Sequence, residues 1–469
     1  MTHAVQLGLV RLLALALLLG GCASHSDKTA PIRSALDAGR PAEALRLIDE
    51  KLEVDNPKQL PEKTSGDNAL ILLDRAMVQQ SLGDHALSSR DLEVSDKQIE
   101  VLDLSRNAAD DIGKYLFSDD TGPYKSPAYE KLMINSMNML NYLARGDLQG
   151  ARVEARRLAV MQTYIERSEG KGKGLLGFGS YLAGFTFEKS GNADEALRYY
   201  DEALAYAKYP SLEEPIRRLA ARSPYRTPRI RAILGDAPAD TSAPKPAAQA
   251  PPTPAPANAA PTDDAGSEDD AEILVIIGYG RVPAKIARRI PIGLALTYAS
   301  GFMSPADRST ANRLALQGLV TWVNFPELGK PRGQWAEPRF SVDGRFQGLD
   351  GVMAVDVEAR RAWDDAKGAV VASAITRMIA RVVAGEAVRQ TSDGVVGVLL
   401  SLGTQVALTA ADTPDTRSWE TLPARIAIGR IRVPSGTRQV ELTASGTRTK
   451  KAVKLAPGAW SVSTLTVLH

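Results

Sequence analysis

GSYLAGFTFEKSGNADEALRYYDEALAYA, residues 179–207, reads as two amphipathic helices joined by one turn. Apolar residues recur three and four positions apart on both sides of Gly191-Asn192, the period of a helix with one buried face. Gly184, Ala196 and Ala203 are small enough to let the two helices approach, and Phe187 and Tyr200 are large enough to fill the space between them. The same punctuation, glycine followed by a polar residue, stands at Gly39-Arg40, Gly83-Asp84 and Gly146-Asp147, each time between amphipathic runs. Ala, Leu, Glu and Arg dominate these runs, as helix propensity requires. Residues 31–235 are therefore expected to form an all-α domain of helix-turn-helix units.

The 179–207 unit resembles a tetratricopeptide repeat. With Gly83 aligned on Gly191, Ala76, Ser88, Leu92 and Ser95 take equivalent offsets in the second unit. ALDAGRPAEALRLI (35–48) and NYLARGDLQGARVEARR (141–157) keep the turn and part of the pattern. The turn glycines lie 44, 63 and 45 residues apart, not the steady spacing of about 34 that such repeats keep. The expectation is a degenerate tetratricopeptide-like solenoid with insertions; an irregular helical domain is the plainer alternative. The resemblance implies a concave surface for peptides or helices of other proteins, and makes Tyr200 a candidate binding residue. FSDDTGPYKSPAY (117–129) breaks the helical pattern and reads as a loop on the array. GKGKGLLGFG (170–179) lacks the spacing of a phosphate-binding loop and reads as a connection between helices. Arg217, Arg218, Arg222, Arg226, Arg229 and Arg231 cluster at the array's end, as a solvated helix face or as contacts for anionic head groups.

Upstream of the array, an apolar run from Leu12 ends in Leu19-Gly20-Gly21-Cys22, the only cysteine of the chain. An apolar stretch too short to span a bilayer, then small residues and Cys, is the pattern of a bacterial lipoprotein signal. Residues 1–21 are expected to be cleaved and the Cys22 thiol to carry lipid, with residues 22–30 as a tether. No Asp follows Cys22, which points to the outer membrane, facing the periplasm. Two or more acyl chains suffice for stable anchoring.

Composition excludes several classes of function. The chain has 57 Lys+Arg against 55 Asp+Glu, which argues against bulk nucleic-acid binding. Four histidines, His3, His25, His85 and His469, and one lipid-bound cysteine leave almost nothing for a Ser-His-Asp triad or a zinc site. No metal, nucleotide or other cofactor is expected. GYG at 278–280 lacks the third glycine of a dinucleotide fingerprint, with Pro283 in its place.

From position 236 to 271 the chain is Pro/Ala-rich and then acidic, too poor in large apolar residues to fold. In polyproline II its ~36 residues could reach on the order of 100 Å, so it reads as a disordered spacer between independently placed domains. Residues 272–469 hold all five tryptophans and read as an α+β domain. EILVIIGYG (272–280) and RRIPIGLALTY (288–298) read as strands, and DAKGAVVASAITRMIARVVAGEAVRQ (365–390) and VVGVLLSLGTQVALTA (395–410) as helices. The tail, ARIAIGRIRVP, SGTRQVELTA, KKAVKLAPGAW and SVSTLTVL, alternates like antiparallel strands of a small β-sandwich or meander. In ADTPDTRSWETLPARI (411–426), Asp415, Arg417 and Trp419 either hold a peptide or sugar edge or lock the turn that enters the sheet.

Three stretches together, 124–157, 275–292 and DTRSWETLP (415–423), resemble a family of largely uncharacterised bacterial lipoproteins with a tetratricopeptide-like N-terminal region and a distinct C-terminal domain. The resemblance implies an envelope location and carries no catalytic residue. The expectation is a non-enzymatic interaction scaffold in envelope biogenesis, held to the membrane by lipid and bound to an envelope protein. The alternative is a histidine-independent enzyme acting on glycans through C-terminal carboxylates such as Asp356 with Glu358 or Asp364 with Asp365.

Overall fold

The computed structural model describes residues 24–101, 124–169, 177–235, 270–318, 320–390 and 414–469. Its N-terminal half is a series of helical hairpins: α1 (His25–Asp37) with α2 (Pro41–Lys51), α3 (Asp67–Ser81) with α4 (His85–Asp96), α5 (Ala128–Ala144) with α6 (Leu148–Glu169), and α7 (Gly177–Lys189) with α8 (Ala193–Leu204). The short α9 (Glu213–Ala220) and α10 (Pro228–Leu234) close the series. Strands β1 (Glu100–Val101) and β2 (Lys125–Ser126) make a small parallel pair between α4 and α5.

All four hairpin turns have one construction. Gly39, Gly83, Gly146 and Gly191 have positive φ. The next residue's amide reaches back to a helix carbonyl: Arg40 to Ala35, Asp84 to Gln79, Asp147 to Tyr142 and Asn192 to Phe187, each at 2.9 Å. That bond and the left-handed glycine close the helix end. At the last three turns the polar side chain then caps the next helix, as when Asn192 accepts from the Glu195 amide at 3.2 Å. The fit expected of Gly184 and Tyr200 is present: a Cβ at 184 would lie 2.3 Å from the Tyr200 ring. Phe187 stacks on Tyr199 at 5.4 Å.

The C-terminal half contains two four-stranded sheets. One has the order β12-β3-β9-β8, built from β3 (Asp270–Tyr279), β8 (Met353–Ala354), β9 (Arg425–Pro434) and β12 (Trp460–Val467). The other has the order β11-β10-β6-β7, built from β6 (Arg339–Val342), β7 (Arg345–Gln347), β10 (Gly436–Ala444) and β11 (Thr447–Leu455). The class is helix plus sheet, with antiparallel pairing dominant. One pairing departs from that pattern: β12 runs parallel to β3, because the chain crosses from one sheet to the other after β11.

The two-residue period of β3 explains the packing. Ile273, Val275 and Ile277 face the second sheet, sharing a core with Val440, Leu442 and Val453. Leu274 and Ile276 face the other way, into one core with Leu70, Met133, Phe185 and other helix residues. A strand covered on both faces must be apolar throughout, which is why 273–277 reads ILVII. The expectation that a long spacer keeps the halves apart is therefore corrected, since the helices and the sheet form one hydrophobic core. Residues 236–269 of that spacer lie outside the described residues, as does the expected helix 395–410.

Two further expectations change. RRIPIGLALTY is not one strand. β4 (Lys285–Pro291) ends at Pro291, and Ile292–Ala299 forms helix α11, where GLALTYA favours the helix. α11, α12 (Pro305–Leu316) and the hairpin of β4 with β5 (Trp322–Leu328) form an excursion with its own core, closed by the long α13 (Val355–Gln390). At its neck Gly280 and Gly333 have positive φ, and a Cβ on Gly280 would meet the Arg332 carbonyl at 2.2 Å. Gly280 of GYG thus serves close backbone approach. The second change is at the N-terminus. Residues 22–30 are not a free tether, because α1 starts at His25, capped by Ser24, whose Oγ accepts from the Asp27 amide at 3.3 Å.

Candidate functional site

The loop 414–424, between α13 and β9 in the chain, runs along the helices and binds them through Thr416, Arg417, Trp419, Glu420 and Thr421. Thr416 Oγ1 accepts from the Ser26 amide at 2.9 Å. Arg417 holds Asp415 through Nε (2.9 Å) and Nη2 (2.8 Å) and reaches Asp67, at the start of α3, at 3.3 Å. The Trp419 amide donates to Glu130 on α5 at 3.3 Å, and Glu420 takes Arg33 from α1 at 2.8 Å. Thr421 donates to Asp74 on α3 from its amide (3.1 Å) and its hydroxyl (2.8 Å). Helices α1, α3 and α5 are tied together through this one segment.

Three carboxyls gather on the seam: Asp74, Glu130 and Glu420, none more than 3 % exposed. Burial pushes Asp74 well up from its ordinary range, and the neighbouring Glu420 charge adds to the shift. Burial likewise raises Glu420, with Arg33 opposing, and raises Glu130, with the Tyr124 hydroxyl opposing from 2.6 Å. Burial raises Asp415 too, but the Arg417 hydrogen bonds and charge override it and keep that carboxyl ionised. His25 is buried beside the loop with neither ring nitrogen bonded, and burial followed by the Lys51 charge lowers its pKa to about 3. It is thus a neutral ring packed inside the body, not part of a tether.

A second cluster joins α7 and α8 to the sheet. Arg430 on β9, its side chain 2 % exposed, binds Glu188 at 2.7 Å and also Glu272. Tyr200 donates to Glu188 at 2.6 Å and accepts from Arg430 at 3.0 Å. Lys189 bridges Glu188 and Glu272, and Arg218 adds a contact to Glu188 at 2.7 Å. Burial favours a neutral Glu188, but the Arg430 and Lys189 charges hold it well below the usual carboxylate range.

The candidate residues are thus located. Tyr200, Arg417 and Trp419 are each at most 1 % exposed and face the seam, Tyr200 in the second cluster and the other two in the loop. Asp415 joins Arg417 but not Tyr200. Their hydrogen-bond partners are residues of this chain, which fits a turn lock; Cys22 lies outside the described residues. Asp356 lies beside Arg425 at 3.2 Å, and Glu358 pairs with Arg361. The terminal arginines are largely committed: Arg217 to Glu213, Arg218 to Glu214 and Glu188, Arg229 to Asp201. Asp74 and Glu130 were not singled out by sequence reasoning. Each sits in a helix apolar on several sides, ALILLDRAMV and YEKLMI, and a carboxyl within such a run marks a buried, hydrogen-bonded group.

Comparison of the chain with protein-family models, characterised proteins and solved structures finds no match in any of the three. No helix among the described residues is long and apolar enough to cross a membrane.

Proposed function

We propose that the protein is a lipid-anchored interaction scaffold of the bacterial outer membrane, facing the periplasm, whose helical hairpins are a degenerate tetratricopeptide-like array. The side of the helices that carries Leu70, Met133 and Phe185 is covered by the chain's own sheet, so a partner would dock on the other side. The observation that supports this reading is a stripe on α6. Val153, Val160 and Tyr164 are 48 %, 70 % and 43 % exposed. Their spacing of seven and four residues puts them on one side of the helix, opposite the buried Ala151, Ala155, Leu158 and Ile165. An apolar line at that spacing suits a helix or groove of another protein.

Photocrosslinking in cells, with the full lipidated chain, tests this. A reactive residue at Tyr164 should capture one discrete envelope protein, and one at the exposed Thr437 of β10 should not. Identical capture from both positions, or none from Tyr164, overturns the reading.

A further inference from the structure

The excursion β4-α11-α12-β5 combines two surface properties, exposed apolar side chains and an excess of cations. Leu294, Tyr298 and Phe302 are 43 %, 38 % and 44 % exposed, and Leu316 and Trp322 are 90 % and 45 % exposed. The first three are neighbours: Leu294 and Tyr298 are one turn apart on α11, and Tyr298 and Phe302 lie against adjacent residues of α13, Lys367 and Gly368. The segment 285–332 also carries seven Lys and Arg against two Asp and Glu. That excess stands out in a chain whose total is +2. Arg288, Arg289, Arg308 and Arg313 are all exposed, Arg289 lies over the Trp322 ring at 5.8 Å, and Lys367 lies over Tyr298 at 4.0 Å. Aromatic and aliphatic side chains edged by cations are the composition of a surface that enters the head-group region of an anionic bilayer.

The position of the N-terminus agrees. Arg281, just before the excursion, pairs with Asp37 at the C-terminal end of α1, and β4 packs against α1 as the chain continues. α1 thus runs antiparallel to the chain that enters the excursion, and Ser24 emerges on the excursion's side. Ser24 and Ser26 are themselves buried. Only Ala23 separates Cys22 from the folded body, so a lipid there would hold the body against the bilayer.

We propose that this excursion is a membrane-docking face that binds anionic phospholipid directly, with α11 lying in the interface and Arg289, Arg308 and Arg313 on head groups. The lipid anchor belongs to the function proposed above, but the docking face binds whether or not Cys22 is acylated.

The test uses residues 22–469 with Cys22→Ser, which retains every described residue and removes the anchor. Co-sedimentation is measured with vesicles of phosphatidylcholine alone and with added phosphatidylglycerol. Binding to the anionic vesicles is expected, with a drop of about thirtyfold when Arg289→Gln and Arg308→Gln are combined, since each cation near the surface adds about fivefold. Leu294→Ser, Tyr298→Ser and Phe302→Ser together should reduce it at least as much, with an unchanged melting temperature. Brominated lipid should quench the wild-type tryptophan emission, and less of it in Trp322→Phe. No sedimentation of the wild type, equal binding of the triple variant, or equal binding to both lipid compositions overturns the proposal. So does a wild-type dimer that the triple variant abolishes without changing vesicle binding, because the face would then belong to a second copy. The α6 crosslink is unaffected by any of these results.

Discussion

Two buried charge clusters join the helices to the C-terminal half, and they are built on opposite terms. Around Arg430, two carboxylates, Glu188 and Glu272, meet Arg430 and Lys189, with Arg218 on the edge. Around the 414–424 loop, Asp74, Glu130 and Glu420 gather with Arg33 as the one cation bonded to them among the described contacts. Burial disfavours charge equally in both. In the first cluster the cations win and Glu188 and Glu272 are lowered; in the second burial wins and all three acids are raised. The same desolvation thus leaves one joint an ion lock and the other a joint whose carboxyls are all shifted toward the neutral form.

The comparison is broken most directly at Arg430. Arg430→Ala leaves Glu188 and Glu272 buried with Lys189 and Arg218 alone. Removing one partner of such a network costs about 3–5 kcal/mol. Urea denaturation should show a loss of that size at neutral pH, and a smaller one only where the pH has fallen through the lowered values of both carboxyls. A loss under 1 kcal/mol would mean that water reaches the cluster.

Gly184→Ala attacks the same joint from the helix side. Alanine gains about 1 kcal/mol in helix propensity over glycine. Its Cβ would fall 2.3 Å from the Tyr200 ring, which Glu188 and Arg430 hold in place. Overpacking a fixed ring costs about 1–3 kcal/mol, so the clash wins and a net loss of about 1 kcal/mol is expected. A stabilised Gly184→Ala would show that Tyr200 is free to swing, and that the lock is looser than its distances imply.

The two clusters also predict opposite pH responses. Glu188 and Glu272 have lowered pKa values in the folded state, so their contribution is present above the ordinary carboxylate range and is lost as the pH falls through the folded values. Asp74, Glu130 and Glu420 have raised values, so the folded chain binds more protons than the unfolded chain, and their contribution fades as the pH rises above that range. Stability should peak between the two limbs. Asp74→Asn keeps an oxygen for the two Thr421 donors and removes the charge facing Glu420. It should flatten the alkaline limb alone, with a gain of about 1 kcal/mol at pH 8, the order of one ill-placed buried polar group. An unchanged alkaline limb would assign it to other groups.

Much of this was legible in the sequence, and the reason is locality. The four Gly-polar turns were readable because a left-handed glycine whose next amide reaches back to the helix is a local device, complete within six residues. β3 and the tail strands were readable from their apolar runs and period. What failed was relation. A long Pro/Ala segment suggests separation, yet the alternate residues of β3 carry two apolar faces, and the second face needed the helices as its partner. Tyr200 and Trp419 attract a functional reading because large aromatics beside charges are shared by binding sites and buried joints. Exposure separates the two, and exposure depends on the far half of the chain.

The smallest predicted effect tests that distinction at the surface. Val160 is 70 % exposed on α6, on the side away from the core. A β-branched residue there loses side-chain freedom and gains no packing, so Val160→Ala should stabilise the chain by about 0.5 kcal/mol through propensity alone. The same change in the interior would cost over 1 kcal/mol, since it would open a cavity. Thermal denaturation of the purified chain therefore distinguishes the cases by sign. A gain, together with weaker capture of the envelope partner from Tyr164, would mark Val160 as a residue kept for a contact outside the chain. A loss of 1 kcal/mol or more would mean that the stripe is already covered in the isolated chain, and that side of α6 would join the sheet-facing side of the helices as structure.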